Sequence, residues 1–532
     1  MGSASTLGNR AVRTIWSSGP LFHPRVPSSI DQLAFRPMCF TTEIKNNFAC
    51  AATIKDDPMT ENSVQRPQFV SCAQVRKARF HLPGQSSADE ARAAGKALRR
   101  RVPRERHAAI GRLSQHRDPV AIIVASNKNR LKNLVPIRHS RMLESPFTFY
   151  RGAAALQAND LALAPSSGIV IQCCGDAHLC NFGGFATPER RFIFDINDFD
   201  ETSLAPFEWD LKRLVVSLVL AARWRGFSDV RAREIATDAV LAYRAEMAFA
   251  AEESTLDTWY AAVTWEDILL DVKDDPVVSR RLRKPAVEAK HHTAEYVFHH
   301  LAMDEGGKVR LHDQPPLIYH PPGVDIDAFA KVLFKNYVKT LSMSYQPLFA
   351  RLRFVDAAIK VVGVGSVGTR CYVVLMMGEQ NEPVFLQIKE ACKSALAGPT
   401  GLSPWRDHGE RVIVGQRLLQ AASDIFLGWT KGPQGRHYYV RQLRDMKASV
   451  DIASMNAHML GLYAKLCGET LARSHAKAGG APRIAGYLGK SDAFDTALGK
   501  YAIAYANRTE RDFESFRRAA ASGRIKTETS VV

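Results

Sequence analysis

The sequence predicts an α+β protein with helices and antiparallel strands in separate stretches. Three observations carry that expectation. Most of residues 87–345 shows apolar residues at helical spacing. Residues 357–388 instead hold three short β-branched and aromatic runs divided by Gly and polar residues. The 532-residue chain is 46% hydrophobic, enough for a sizeable core, and no apolar run reaches membrane-spanning length.

Residues 1–70 lack sustained periodicity and are rich in Ser, Thr, Asn and Pro, so an irregular tail is expected. Arg10, Arg13 and Arg25 precede the first acid, Asp31, as in a transit peptide, but no apolar segment or cleavage site follows. A basic helical segment follows over 71–150, broken at Leu134-Val-Pro136, with a further helix from Ala153 to Leu163. A buried strand is read at Gly168–Cys173, a loop at 174–186 and a strand at Arg191–Phe194. Trp209–Trp224 reads as a strongly apolar helix, with further helices over 228–250 and 280–302. Gln314–Pro322 reads as a Pro-rich linker before a helix near 327–345. Strands are expected at Ala357–Val362, Arg370–Met376 and Pro383–Ile388, then a helix at 408–422, a strand at His437–Leu443 and a helix at 453–476. The units are thus a tail (1–70), a basic segment (71–150), a helix-rich part (151–345), a strand-rich part (355–447) and closing helices (453–525).

The net charge is +17, and residues 73–141 alone hold 17 Lys or Arg against 4 Asp or Glu. Such a segment attracts polyanions or is simply a solvated basic face. Phe80 is its one aromatic side chain, so stacking on single-stranded nucleic acid is not supported. Nine Cys, odd in number and without a CxxC pair, indicate neither a disulfide framework nor a zinc site. Reduced thiols in a cytoplasm are expected.

Two constellations carry chemistry. The first is Gly175-Asp176-Ala177-His178-Leu179-Cys180-Asn181-Phe182-Gly183, followed by Asp195-Ile196-Asn197-Asp198-Phe199-Asp200-Glu201. Burying so many acids together is costly unless a cation compensates. Asn and Asp oxygens suit Mg²⁺, and a further Asp can orient a nucleophile. The plain alternative is an Asn- and Asp-rich turn between two strands. The second is Gly363-Val364-Gly365-Ser366-Val367-Gly368 with Lys389 downstream. A Rossmann unit would open a helix after these glycines, yet Thr369-Arg-Cys-Tyr-Val-Val-Leu reads as a strand. Strand, Gly loop, strand is the order of a phosphate-covering loop; a glycine hairpin with a surface Lys is the alternative.

From about residue 90 to 520 the chain resembles a bacterial family catalogued as domain of unknown function 2252, through SPFTFYRG (145–152), GDAHLCNFG (175–183), WDLKRL (209–214), VGVGSVGTR (362–370), FLQIKEA (385–391) and YYVRQLRDMK (438–447). The first constellation also resembles the catalytic segment of aminoglycoside and choline kinases, with Asp176, His178, Asn181, Asp195, Asp198, Pro206 and Asp210-Leu211 in matching order. Cys174 stands where those kinases usually carry His. The resemblance implies a two-lobed protein-kinase-like fold that binds ATP and Mg²⁺. Asp176 and His178 would be catalytic, Asn181, Asp195 and Asp198 would hold the metal, and Asp210 would be a structural acid. Gly363, Gly365, Gly368, Lys389, Glu410 as the Lys partner, and Arg151 would bind the nucleotide. The Gly loop follows the catalytic segment here, so the chain would be circularly permuted. The acceptor would be a hydroxyl-bearing small molecule or protein. A nucleotide- or polyanion-binding regulator and a metal-dependent hydrolase on Asp176, His178, Asp195 and Asp198 are the alternatives.

Overall fold

The computed structural model describes residues 87–112, 117–291, 294–305, 308–443, 448 and 450–528. The expected tail over 1–70, and residues 444–447 at the end of the YYVRQLRDMK stretch, lie outside the described residues.

The basic segment forms helices α1 (Ala88–Arg101), α2 (Pro119–Ser126) and α3 (Val135–Leu143). Ser87 and Glu90 form a capping box at the start of α1, and Asp118 accepts from two free N–H groups of α2. Ser145, with Pro146 in the first turn, starts α4 (Pro146–Arg151).

Strand β1 (Val170–Cys173) pairs antiparallel with β4 (Ser203–Pro206), while β2 (Phe182–Ala186) pairs with β3 (Phe192–Ile196), whose other edge meets β5 (Val263–Thr264). The expected 174–186 loop is therefore shorter: its second half is β2. Glycines at positions 183 and 184 lower strand propensity, and pairing with β3 overrides it.

Helix α5 (Glu208–Trp224) is the hub. Fifteen of its 17 residues are buried, so it is enclosed on all sides rather than half-exposed like an amphipathic helix. It packs on α6 (Asp229–Ala250), and later helices close around the pair. The expected helix over 280–302 is instead Pro276–His291 followed by α7 (Ala294–Leu301), and then a hairpin of β6 (Ala302–Glu305) and β7 (Lys308–Leu311). The expected linker at 314–322 contains β8 (Ile318–Tyr319), which joins the edge of the main sheet. Helix α8 (Ile326–Tyr337) ends in a 3₁₀ turn, Val338–Thr340.

The main sheet is antiparallel, in the order β12-β13-β11-β10-β9-β8, with β9 (Arg353–Lys360), β10 (Cys371–Met377), β11 (Pro383–Glu390), β12 (Gly428–Lys431) and β13 (His437–Gln442). Both faces are covered, which is why β10 reads as an unbroken apolar run. Tyr372, Val374, Leu386 and Val440 pack with Leu333 and Tyr337 of α8 and its following turn. On the other face Val373, Leu375 and Phe385 meet Val297 of α7. That face turns polar toward Cys371, Lys389 and Tyr439, which stand opposite one another in register. Helix α9 (His408–Leu419), capped by Asp407, follows β11. Helices α10 (Ala457–Lys477) and α11 (Ala493–Ala521) pack on α6. Among the described residues, no helix is long and apolar enough to cross a membrane.

Candidate functional site

The first constellation is held from beneath. Asp210, near the start of α5, accepts the N–H groups of Cys174 and Gly175 at 2.7 and 2.9 Å, one on each carboxylate oxygen. His475 of α10 reaches the same carboxylate at 3.2 Å through Nε2, while its Nδ1 lies 2.9 Å from the Tyr243 hydroxyl. Gly175 has φ 88°, and a Cβ there would lie 2.1 Å from the carbonyl oxygen of Glu201. Only Gly allows this turn to press against the 198–202 segment.

Asp176 emerges from that turn. Its Oδ1 accepts from Arg213 Nε at 2.7 Å, and its Oδ2 lies 3.9 Å from His178 Nε2. Asn181 Nδ2 donates to the Asp176 carbonyl at 2.7 Å, which closes the loop and leaves Asn181 Oδ1 without a donor among the described residues. His178 is buried, and its Nδ1 has no partner among the described residues. Burial, with Arg151 and Arg213 nearby, lowers its pKa to about 3 despite the Asp176 charge, so the ring is neutral.

The acids of the second strand divide into two sets. Asp195 points away from the cavity. It is 3% exposed, and its two carboxylate oxygens accept from Ile196 N–H and Ala421 N–H, each at 2.7 Å. Burial raises its pKa to about 6 against those bonds. Asp195, expected as a metal ligand, is thus not brought to the cavity that Asp198 and Asp200 line, because backbone N–H groups hold both its oxygens. Asp198 and Asp200 lie past the end of β3 and line the cavity.

Lys389 meets these two acids. Its Nζ bonds Asp200 Oδ2 and lies 3.6 Å from Asp198 Oδ2, although 189 and 191 residues separate them along the chain. The ammonium is 2% exposed, and burial disfavours its charge, but the two carboxylates outweigh this and hold its pKa well above the usual lysine value. Burial likewise raises the Asp198 pKa, while Lys389 and then Arg441 pull it down further than burial lifts it. Tyr439 donates to Asp200 Oδ1 at 2.6 Å and Ser366, from the Gly loop, to Asp200 Oδ2 at 3.2 Å.

Glu410 does not pair with Lys389. It sits in the first turn of α9, where its N–H is capped by Asp407. The side chain that α9 turns toward the site is Arg411, 1% exposed, which donates to the carbonyls of Asp200 and Cys392 at 2.8 Å and to that of Thr202. Helical periodicity explains the difference, since adjacent positions face about 100° apart. Glu390 is bound to Arg370 and Arg436 at 3.1 and 3.0 Å.

The Gly loop closes over the same space. Gly363 and Gly365 line the cavity. Gly368, at φ 86°, makes the turn into β10 and passes its carbonyl to Leu131 N–H at 2.7 Å. Arg141 donates to the Gly363 carbonyl at 2.6 Å, and Arg130 to that of Val367. The basic segment thus clamps the loop. The resulting cavity of about 350 Å³ brings together Asp176, His178, Asn181, Asp198, Asp200, Gly363, Gly365 and Arg151. Asn181 Oδ1 and the Asp198 and Asp200 carboxylates are a hard-oxygen set that suits a small divalent cation.

Cys173, Asp210 and His475 hold their ligand-type atoms within 4.8 Å of one another. Burial keeps the Cys173 thiol protonated, and Asp210 and His475 are committed to the bonds above, so this group is an anchor for the loop.

Asp200, Tyr439, Arg213 and Arg411 belong to the site as well and lie outside the set expected from sequence. For Asp200 a signal existed: Asp198-Phe199-Asp200 lies past a strand end and is the first acid pair free of strand alternation. The other three are recognisable only from their partners.

The chain matches the model of a family described as uncharacterized protein conserved in bacteria (DUF2252) over residues 130–519. No curated protein and no solved structure matches it.

Proposed function

We propose that this chain, which belongs to the DUF2252 family of bacterial proteins, is an ATP- and Mg²⁺-dependent phosphotransferase with a kinase-like, circularly permuted arrangement. The observation that carries the reading is Lys389 at the end of the second strand after a Gly loop, meeting Asp198 and Asp200 beside Asp176 and Asn181. A buried ammonium facing two carboxylates under a glycine loop is the set of parts that phosphoryl transfer uses. A permuted order keeps the same spatial set.

ATP would supply the transferable phosphoryl group, and Mg²⁺ would neutralise its developing charge. Asn181, Asp198 and Asp200 offer the metal-binding oxygens, so Asp200 is added to the expected set and Asp195 removed from it. Lys389 holds phosphate oxygens, and its present bonds to the acids give it a fixed position when no ligand competes. The Gly-loop N–H groups cover the phosphates and exclude water. Asp176 has one oxygen tied to Arg213, which fixes the carboxylate plane, and presents Oδ2 to take the acceptor hydroxyl proton. His178 is neutral and lends hydrogen bonding without adding charge. Arg151 supplies a further phosphate contact.

The test is Mg²⁺-dependent nucleotide binding followed by thermal shift, with ATP turnover measured across hydroxyl-bearing acceptors. Absence of stabilisation by every nucleotide–Mg²⁺ pair would refute the reading. Transfer of a nucleotidyl group uses the same parts, and release of diphosphate in place of ADP separates the two.

A further inference from the structure

The charges lining the cavity are sorted unequally. Every acid there has a partner: Asp176 has Arg213, Asp198 and Asp200 share Lys389, Glu390 has Arg370 and Arg436, and Glu201 accepts Ala395 N–H at 2.6 Å. The arginines Arg130, Arg138 and Arg151 line the same cavity and, among the described residues, have no carboxylate partner. Arg130 donates to the Val367 carbonyl. Arg138, 1% exposed, donates to Gly152 O at 2.6 Å and to Asn127 Oδ1 at 2.9 Å. The Nε atoms of all three are buried without an acceptor among the described residues. Lys128 and Lys393 add positive charge at the rim.

A buried guanidinium with neutral partners and an idle N–H is costly. Burial, and Arg130 after it, pull the Arg138 pKa well below the usual arginine value, as expected for a cation with no counter-charge. Under the proposed function, Lys389, the Gly-loop N–H groups, a metal and Arg151 already answer the nucleotide's phosphates. Arg130 and Arg138 exceed that need. They come from the basic segment that clamps the Gly loop, not from the strands or the loop that carry the phosphotransfer residues.

Resting on that reading, we infer that Arg130 and Arg138 form a second oxyanion subsite, and that the acceptor is a small molecule carrying a phosphate or carboxylate group beside its reactive hydroxyl. Guanidinium groups match both anions by paired N–H bonds. Holding the anion there positions the hydroxyl against Asp176 Oδ2 and restores charge balance in the cavity.

The experiment titrates the full chain with inorganic phosphate and with Mg²⁺·ADP, separately and together, by calorimetry. Phosphate is expected to bind in the presence of saturating Mg²⁺·ADP. Arg130→Gln is expected to weaken phosphate at least about tenfold, the loss of one charge-assisted bond pair, and to weaken Mg²⁺·ADP by a smaller factor, because the Gly loop loses one of its clamps. Asp198→Asn is expected to do the reverse. Because Arg138→Gln could unsettle α3, the rim variant Lys128→Gln serves as a second probe, with a smaller loss of the same sign. Three results overturn the inference: no phosphate binding, full displacement of phosphate by Mg²⁺·ADP, or an Arg130→Gln affinity equal to wild type. Arginine-dependent phosphate binding without any Mg²⁺·nucleotide binding would leave the subsite standing and overturn the phosphotransferase reading instead.

Discussion

Replacing Lys389 with Met tests the central contact directly. The side chain is 2% exposed and of similar volume to Met, so packing is retained and the change is electrostatic. At 3.6 Å from Asp198 and an effective dielectric constant near 20, the gross attraction is about 4–5 kcal/mol. Removing one partner of a buried pair commonly costs about 3–5 kcal/mol, because the other charge is stranded. Two features reduce that figure. Asp198 and Asp200 keep 30% and 25% side-chain exposure, and Asp200 retains Tyr439 and Ser366 as donors. We therefore expect a loss of about 2–3 kcal/mol at pH 7, measured by urea unfolding. The sign with pH follows from Asp198. Its folded pKa is lowered, so its stabilising contribution is present above the unfolded carboxylate value and is lost as pH falls through the folded one. The gap between wild type and Lys389→Met should close below about pH 4. The two stranded carboxylates should also gain affinity for Mg²⁺, so millimolar Mg²⁺ should recover part of the lost stability in the variant and less in wild type. A variant as stable as wild type at pH 7, or a loss that neither acid nor Mg²⁺ diminishes, would refute the buried pairing.

The other expectations can be checked with similar means. Asp198→Asn should abolish Mg²⁺-dependent nucleotide binding, while Asp195→Asn should leave it intact and alter stability instead; calorimetry with Mg²⁺·ADP separates the two. Gly175→Ala places a Cβ 2.1 Å from Glu201 O in a left-handed turn, and should cost about 2–4 kcal/mol and reduce turnover, whereas Gly523→Ala, also at positive φ but with open space around it, should cost about 1 kcal/mol. His178 has a folded pKa near 3 against 6.5 unfolded, so the unfolded chain takes up the proton first and stability falls as pH drops from about 6.5 toward 3. Relative to His178→Gln, wild type should lose about 1 kcal/mol between pH 6 and pH 5, and parallel pH profiles would contradict a buried neutral ring.

Much of this was legible in the sequence wherever the information is local. The Asp176–Asn181 spacing, the Gly loop with a strand on each side, the apolar helix Glu208–Trp224 and the strands β9, β10 and β11 are all set by residues within a few positions of one another. Such patterns depend on backbone periodicity and turn chemistry, which a chain carries in itself. Short elements escaped: β2, β4 and β12 have four or five residues each, and partners far along the chain make them strands. Side-chain choice escaped too. Glu410 and Arg411 are neighbours in sequence, yet only the docking of α9 on the 200–202 and Cys392 carbonyls decides which faces the site. Asp195 and Asp198 are three residues apart, and the end of β3 decides which is buried against Ala421 and which meets Lys389. Sequence thus determined which residue types and turns exist. Tertiary structure decided which charges meet, because a contact across 189 residues depends on the packing of a sheet against a loop, and a buried ammonium takes whichever carboxylates that packing delivers.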